Sequence, residues 1–176
     1  MSDSQASIPY TEPWLRGTHT DIPAVGRAVV HALEIALDDL RRWTSDLTRD
    51  EINATPLGLT SVATQLRHIA GSIDRILSYA EGKRLTDEQL TRQQTEENGS
   101  QPLAALMDAV ETSISSAFAR IRTLAAEDLE QPRAVGRKQL PASLGGLLVH
   151  VADHTLRHVG QVVVTAKVLR SLRTRS

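Results

Sequence analysis

The sequence predicts an all-α fold, a four-helix bundle, and three observations support this class. Apolar residues recur at steps of three and four along four separate segments, which is the period of one face of an α-helix. Aromatic residues make up 3% of a chain that is 40% hydrophobic, so the core must be built from Leu, Ala, Val and Ile, which suits packed helices better than a β-sandwich. A chain of 176 residues is also long enough for one domain, which buries about 70% of its unfolded surface on folding.

The chain is predicted to consist of a polar N-terminal arm and one bundle. Residues 1–20 form the arm, and residues 21–172 form the bundle. Tyr10, Trp14 and Leu15 are the apolar side chains of the arm, and they can dock it on the bundle or on a partner chain. No internal repeat and no second domain are found.

The first two helices have recognisable starts and apolar faces. Asp21 is the expected N-cap of helix one, with Pro23 in its first turn. Its apolar face comprises Ile22, Val25, Val29, Leu33, Ala36, Leu40, Trp43 and Leu47. Helix two begins near Thr60 or Ser61, either of which can cap it, and ends at Gly82. Its apolar face comprises Val62, Leu66, Ile69, Ile73, Ile76 and Ala80.

Longer connections precede and follow the third helix. Residues 83–100 form a polar connection with a short helical turn around residues 87–92, and helix three starts after Ser100 with Pro102 in its first turn. Its apolar face comprises Leu103, Leu106, Val110, Ile114, Ala117, Ile121 and Leu124. Residues 125–142 form an ordered loop that contains prolines and a glycine. Helix four then runs from about residue 143 to residue 170, which completes the predicted bundle.

Charge and cysteine content exclude several classes of function. A net charge of −1 gives no overall attraction to nucleic acid or to an anionic membrane. The chain has no cysteine, so disulfides, thiolate–zinc sites and a cysteine nucleophile are excluded, and any metal must be held by nitrogen or oxygen. There is no signal-like segment at the N-terminus and no apolar run of the roughly 20 residues that a membrane span needs. The expectation is a soluble, cytoplasmic protein without a nucleic-acid or membrane partner.

The fourth helix carries three of the six histidines, at positions 150, 154 and 158. His154 and His158 are four residues apart, so their rings project from one face, which is the spacing by which a helix presents two nitrogens to one metal ion. A solvated or hydrogen-bonded polar strip gives the same spacing. Periodicity places His68 of helix two away from its apolar face and therefore on the surface, although polar strips on helices two and four can also face each other across a cleft.

Two segments of the sequence resemble the DinB-like (damage-inducible, YfiT-related) family. The stretch VATQLRHIAGSIDRIL, residues 62–77, has one histidine followed by an apolar residue, and HVADHTLRHVGQ, residues 150–161, has H-x-x-x-H followed by glycine and glutamine. The resemblance spans nearly the whole chain. It implies a DinB-like four-helix bundle and a homodimer, and it implies no DNA polymerase and no DNA binding.

The resemblance also implies a divalent metal at His68, His154 and His158, with zinc, nickel or iron as the ion and one or more coordination positions left for water. Many members carry a further histidine directly before the last ligand, where this chain has Arg157. This difference leaves the triad intact and changes the charge of the pocket. Such sites also need hydrogen-bond partners that fix the histidine rings, for which the candidates are Gln65, Asp74, Asp153 and Gln161.

Three functional hypotheses follow from these observations. The resemblance implies a metal-dependent thiol transferase, isomerase or hydrolase acting on a small molecule, with a low-molecular-weight thiol such as mycothiol or bacillithiol as a possible cosubstrate. The second hypothesis is a non-catalytic bundle in which the metal organises a binding pocket or a helix pair. The third is a metal-free bundle that dimerises through Trp14 and Tyr10.

The remaining charged and polar candidates have simpler interpretations. His150 is interpreted as lining the pocket, with a fourth metal ligand as the alternative. His31 and His19 are interpreted as solvated or exposed, and the pair Glu96–Glu97 as solvated charges. Two adjacent basic residues lie before helix four and either pair with an acidic side chain or meet an anionic substrate: Arg137 and Lys138.

Overall fold

The computed structural model describes residues 10–174, and most of them are helical. The four long helices are α1 (Ala24–Thr44), α3 (Val62–Ala80), α5 (Leu103–Leu124) and α6 (Leu144–Arg173). The connections contain the short helices α2 (Arg49–Asn53) and α4 (Asp87–Gln94) and the strands β1 (Pro132–Val135) and β2 (Leu140–Ser143). The predicted all-α class is confirmed. Residues 1–9 of the predicted arm lie outside the described residues.

The helix starts agree with the sequence in one case and differ in another. Ser61 caps α3 as predicted, because its side chain accepts a hydrogen bond from the backbone N–H of Thr64. Asp21 is not the N-cap of α1. Pro23 occupies that position with an extended backbone, and the Asp21 carboxylate instead accepts a hydrogen bond from Arg122 of α5 at 2.9 Å. The carboxylate that the local sequence pattern assigned to the helix cap therefore forms an ion pair with another helix of the same chain.

The connections are more ordered than the sequence predicts. α2 and α4 each begin with a capping box, in which a threonine side chain and the side chain three residues later satisfy each other's backbone N–H groups. The predicted loop at residues 125–142 is wrong in part, because it contains the antiparallel hairpin β1–β2 with Pro132 opposite Ser143 and Val135 opposite Leu140. Proline argues against an interior strand, but each strand of a two-stranded hairpin has a free edge that needs no N–H donor.

The four long helices form a ring of contacts around an aliphatic core. α1 and α3 each pack against both α5 and α6, so α1 and α3 lie diagonally opposite each other. The fully buried hydrophobic side chains are Leu, Ile, Val and Ala, as the composition predicts. Gly26 of α1 sits at a close approach to α5, where a Cβ atom would lie 2.4 Å from that of Ala125.

α3 and α6 run antiparallel, and this pairing positions the polar strips of both helices. Contacts between them advance along α3 while they recede along α6: the Thr165 hydroxyl donates to the carbonyl of Thr60, and further along α3 the ring of His68 meets that of His154. The N-terminal half of α3 therefore faces the middle of α6. Among residues 10–174, no helix is both long enough and apolar enough to cross a membrane.

Candidate metal centre

The structure brings His68 of α3 together with His154 and His158 of α6. One ring nitrogen of each lies within 4.8 Å of the corresponding nitrogens of the other two. The ring centroid of His158 is 4.3 Å from that of His68 and 4.5 Å from that of His154. All three residues are partly exposed, so none of them is sealed from solvent. Below, these three residues are called the histidine triad.

One contact within the triad joins two ring nitrogens whose lone pairs would repel each other unless a proton or a cation is shared between them. The Nε2 atoms of His68 and His154 are 2.9 Å apart. Two neutral nitrogens at this distance need a proton or a cation between them, because their lone pairs would otherwise repel. Imidazole nitrogen is a common ligand of zinc, nickel, copper and iron, so the donor set fits a divalent transition metal.

An ionised carboxylate orients the first histidine. The Nδ1 atom of His68 donates to Oε2 of Glu96 at 2.7 Å, and the other oxygen of Glu96 accepts from Arg75 at 2.6 Å. Burial raises the pKa of the Glu96 carboxyl, but the hydrogen bonds from His68 and Arg75 outweigh it and leave that pKa below its usual value. The carboxylate is therefore charged at neutral pH and holds the proton of His68 on Nδ1, which leaves the Nε2 lone pair directed at the triad.

Two glutamine side chains orient the last histidine in the same way. The Nδ1 atom of His158 donates to Oε1 of Gln65 at 2.7 Å and lies 3.0 Å from Oε1 of Gln161. The Gln65 amide nitrogen in turn donates to Gln161 at 2.8 Å, which fixes which end of the Gln65 amide faces the ring. Both contacts place the His158 proton on Nδ1, so the lone pair that can bind a metal is on Nε2. These are two of the four hydrogen-bond partners that the sequence predicts for the triad.

The electrostatic surroundings keep the two histidines of α6 neutral. Burial, followed by the neighbouring rings of His158 and His68, lowers the pKa of His154 to about 4. Burial and the proximity of His68 also lower the pKa of His158 below its ordinary value. Both imidazoles therefore carry a lone pair at neutral pH, the form that binds a metal ion.

The surface position that periodicity predicts for His68 is wrong. Its side chain is only 27% exposed, and the strip of α3 on which it lies is largely buried. Buried members of this strip are Ser61, Gln65, Ser72 and Arg75. Helical periodicity identifies an apolar face. A polar face can also be buried if its polar groups form hydrogen bonds, and periodicity does not reveal this.

Three other predicted site residues make their polar contacts outside the triad. Asp74 accepts hydrogen bonds from Gln89 and Arg120. Asp153 lies between His150 and Arg157 on the outside of α6, with ring and guanidinium contacts of 2.8 Å and 3.0 Å. His150 is 46% exposed and its Nδ1 atom contacts Asp153, while its ring centroid lies 5.2 Å from that of His154.

The two basic residues before helix four do not lie at its N-terminus. Arg137 and Lys138 occupy the exposed turn that joins β1 to β2. Ser143, the last residue of β2, caps α6 by accepting a hydrogen bond from the backbone N–H of Gly146. The two positive charges therefore lie on the hairpin turn and not in the first turn of α6.

Sequence reasoning missed Glu96, which it interpreted as a solvated charge. Glu96 follows α4, in a segment without apolar periodicity, and its side chain is only 11% exposed. The only available signal was indirect: a ligand histidine needs an acceptor for its second nitrogen, and a buried Arg75 seven residues further along the same helix needs an anion. Neither requirement identifies which acidic residue of the connection serves as the acceptor for the histidine and as the anion for Arg75.

A cavity of about 680 Å³ lies between α3, α5 and the segment that follows α4. Its wall includes Glu96 and Arg67 but none of the three histidines. Arg67 donates to the backbone carbonyl of Glu96 at 2.6 Å and so helps to hold the segment in place. The cavity therefore contacts the triad only through Glu96.

The fold and this site together define a class of protein: a four-helix bundle with a histidine triad between two antiparallel helices. The family model of the DinB superfamily matches residues 32–162, which include all three histidines and Glu96. The chain belongs to the DinB superfamily. A search of curated proteins found no significant match.

Proposed function

We propose that this protein is a divalent-metal-dependent enzyme that acts on a small molecule, as a thiol transferase or isomerase or as a hydrolase. The observation that supports it most is the convergence of three ring nitrogens, one from each histidine of the triad, within 4.8 Å of one another. For His68 and His158 the opposite ring nitrogen donates to an oxygen acceptor, so each ring is held in the tautomer that a metal ligand needs. Zinc or nickel fits this all-nitrogen set best, and iron is accepted by the same ligands.

The residues around the triad have separable roles in this proposal. His68, His154 and His158 would hold the ion. Glu96 and Gln65 would fix the orientation and tautomer of the His68 and His158 rings. When bound, the metal supplies Lewis acidity and lowers the pKa of a water or thiol in its open position. The partial exposure of all three rings leaves room for such a ligand on the solvent side.

The absence of cysteine favours a thiol that comes from outside the chain. With no cysteine in the sequence, any sulfur nucleophile must be a low-molecular-weight cosubstrate. Arg157, on the outward side of α6 one residue before His158, adds a positive charge beside the site, although Asp153 pairs with it. A carboxylate-bearing thiol suits such an entrance because it carries the complementary charge.

The alternative function is a non-catalytic metal- or ligand-binding bundle. The observation in its favour is the position of the 680 Å³ cavity, which is separated from the triad by Glu96. A ligand held there would sense the metal only through the Glu96–His68 hydrogen bond. In this case metal binding would change ligand affinity without turnover.

The test is elemental analysis of purified protein beside a His154→Ala variant. His150→Ala is the matched control, because it removes a histidine from the same helix that pairs with Asp153. We expect His154→Ala to lose the metal of the triad and His150→Ala to keep it. Equal metal content in His154→Ala and the unaltered protein would overturn the metal assignment. If that metal is present, a screen of thiol conjugation and hydrolysis on the metal-loaded protein separates the enzyme from the binding protein.

A further inference from the structure

A second set of metal-ligand side chains lies on the opposite side of the bundle, where α1 packs against α5. His31 and Glu34 are on α1, three residues apart, and His19 comes from the segment that precedes α1. One ligand atom of each residue lies within 4.8 Å of those of the other two. The His19 ring stands edge-on to that of Phe118 of α5, with 5.8 Å between centroids. The triad, by contrast, lies between α3 and α6.

The sequence-based interpretation of His31 as solvated and of His19 as exposed is wrong for His31 and only partly right for His19. His31 is buried, with 6% of its surface exposed, and the side chains of His19 and Glu34 are 22% and 24% exposed. A buried imidazole needs partners for its ring nitrogens. The Nε2 atom of His31 is 3.2 Å from the hydroxyl of Thr18, a long contact for a buried group.

Glu34 gives the observation that points to a missing ligand. Its Oε1 atom lies 2.8 Å from Nε2 of His19, but its Oε2 atom is buried and has no hydrogen-bond partner. A carboxylate oxygen that is shielded from water without a donor is unfavourable, because its desolvation is not compensated. A cation bound by this carboxylate would compensate the lost hydration.

The backbone at His19 has an uncommon conformation. This residue adopts a left-handed conformation, with φ at 56°, which non-glycine residues rarely adopt. The turn continues into α1, where the backbone N–H of Ile22 donates to the carbonyl of His19 at 3.0 Å. In this conformation the His19 ring lies against Glu34, with 2.8 Å between Nε2 and Oε1.

We propose that His19, His31 and Glu34 form a second divalent-metal site, which fastens the N-terminal arm to α1. Two imidazole nitrogens and one carboxylate oxygen are a donor set that zinc and related transition metals accept. The ion would join a segment before α1 to the middle of that helix. Its role is therefore structural, in contrast to the open triad on the other face.

The test is a calorimetric titration of chelator-stripped protein with Zn²⁺. We expect two equivalents for the unaltered chain and one for His19→Ala, a variant at a partly exposed position outside any helix. Glu34→Gln keeps the size and a hydrogen-bond acceptor but removes the charge, and we expect it to weaken the second equivalent by more than about tenfold. His150→Ala, which changes the one histidine outside both clusters, should bind two equivalents.

The double variant His154→Ala/His158→Ala isolates the second site from the triad. We expect it to retain one equivalent, and we expect Zn²⁺ to slow tryptic cleavage after Arg16 in this variant but not when His19→Ala is added. Retention of one equivalent that depends on His19 supports the site even if the triad binds nothing. The proposal is overturned if the double variant binds no Zn²⁺, or if His19→Ala binds as many equivalents as the unaltered protein.

Discussion

Glu96 joins the candidate metal centre to the interior of the bundle, because its two oxygens accept from His68 at 2.7 Å and from Arg75 at 2.6 Å. Arg75 and His68 lie seven residues apart on α3, so both point toward the segment after α4. The ion pair with Arg75 holds the Glu96 carboxylate in position, and the carboxylate in turn orients the His68 ring. The chain thus uses a connection, rather than a neighbouring helix, to set the tautomer of a ligand.

Glu96→Gln is predicted to weaken metal binding at the triad by about 10–100-fold, the usual cost of losing an outer-shell partner. The amide oxygen still accepts from the His68 ring but carries no charge, so the imidazole becomes a weaker donor. Competition with a chromophoric chelator measures the change. Glu97→Gln is the control, since Glu97 is exposed, and it should bind as the unaltered protein does. An unchanged affinity in Glu96→Gln would show that the carboxylate does not act on the site.

Arg75→Met is predicted to lower the free energy of unfolding by about 3 kcal/mol, because it leaves Glu96 largely buried without a cation. The side chains of this pair are 8% and 11% exposed. The Glu88–Arg92 pair on α4 is exposed, and Arg92→Met should cost less than about 0.5 kcal/mol. Urea denaturation of the metal-free proteins compares the two. Similar losses in both variants would contradict the distinction between a buried and an exposed pair.

The four long helices could be predicted from sequence because their apolar faces are continuous. Val62, Leu66, Ile69 and Ile73 recur at helical steps and are all buried in α3. The hairpin could not be predicted, since its strands have four residues each and their sequences, PRAV and LPAS, do not alternate apolar and polar residues. Its pairing depends on contacts with the rest of the fold: Arg133, for example, donates to the carbonyl of Ala80 at the end of α3.

The candidate site was predictable only in part, for a physical reason. His154 and His158 share one helix, so their spacing alone places the two rings together. His68 comes near them through the packing of α3 on α6, which helical periodicity does not encode, and only family resemblance indicated it. Glu96 and the pairing of His19 with Glu34 depend on the path of irregular segments, for which a single sequence gives no rule.

The link between the end of α6 and α2 is predicted to weaken in acid. Hydrogen bonds from Arg173 and from the backbone N–H of Thr48 lower the pKa of Glu51 from 4.5 to about 2. Because this pKa is lower in the folded state, the stabilisation is present above about pH 4.5 and is lost as the pH falls toward 2. Glu51→Gln keeps the capping box but not the charge.

The stability difference between the unaltered protein and Glu51→Gln is therefore expected to be below about 1 kcal/mol at pH 7, because the pair is near the surface, and to shrink between pH 4.5 and pH 2. Urea denaturation at several pH values measures it, and 1 M salt at pH 7 should reduce it as well. A difference that stays constant across this range would mean that the charge of Glu51 does not stabilise the fold.

Gly26→Ala is predicted to destabilise the bundle by about 1–3 kcal/mol, as overpacking of a core does, although alanine is the better helix former by about 1 kcal/mol. The added Cβ would lie 2.4 Å from the Cβ of Ala125, and neither methyl group can rotate away, so α1 and the end of α5 must separate. Gly160→Ala is the matched control, because a Cβ there meets nothing within 4 Å, and it should stabilise the protein slightly. Thermal unfolding of both variants and of Gly26→Ala/Ala125→Gly tests the cause. The second substitution removes the shortest contact and should restore part of the loss, while Cγ2 of Ile22 remains 3.0 Å from the added Cβ. If the double variant is no more stable than Gly26→Ala, the close approach of α1 to α5 is not what requires glycine.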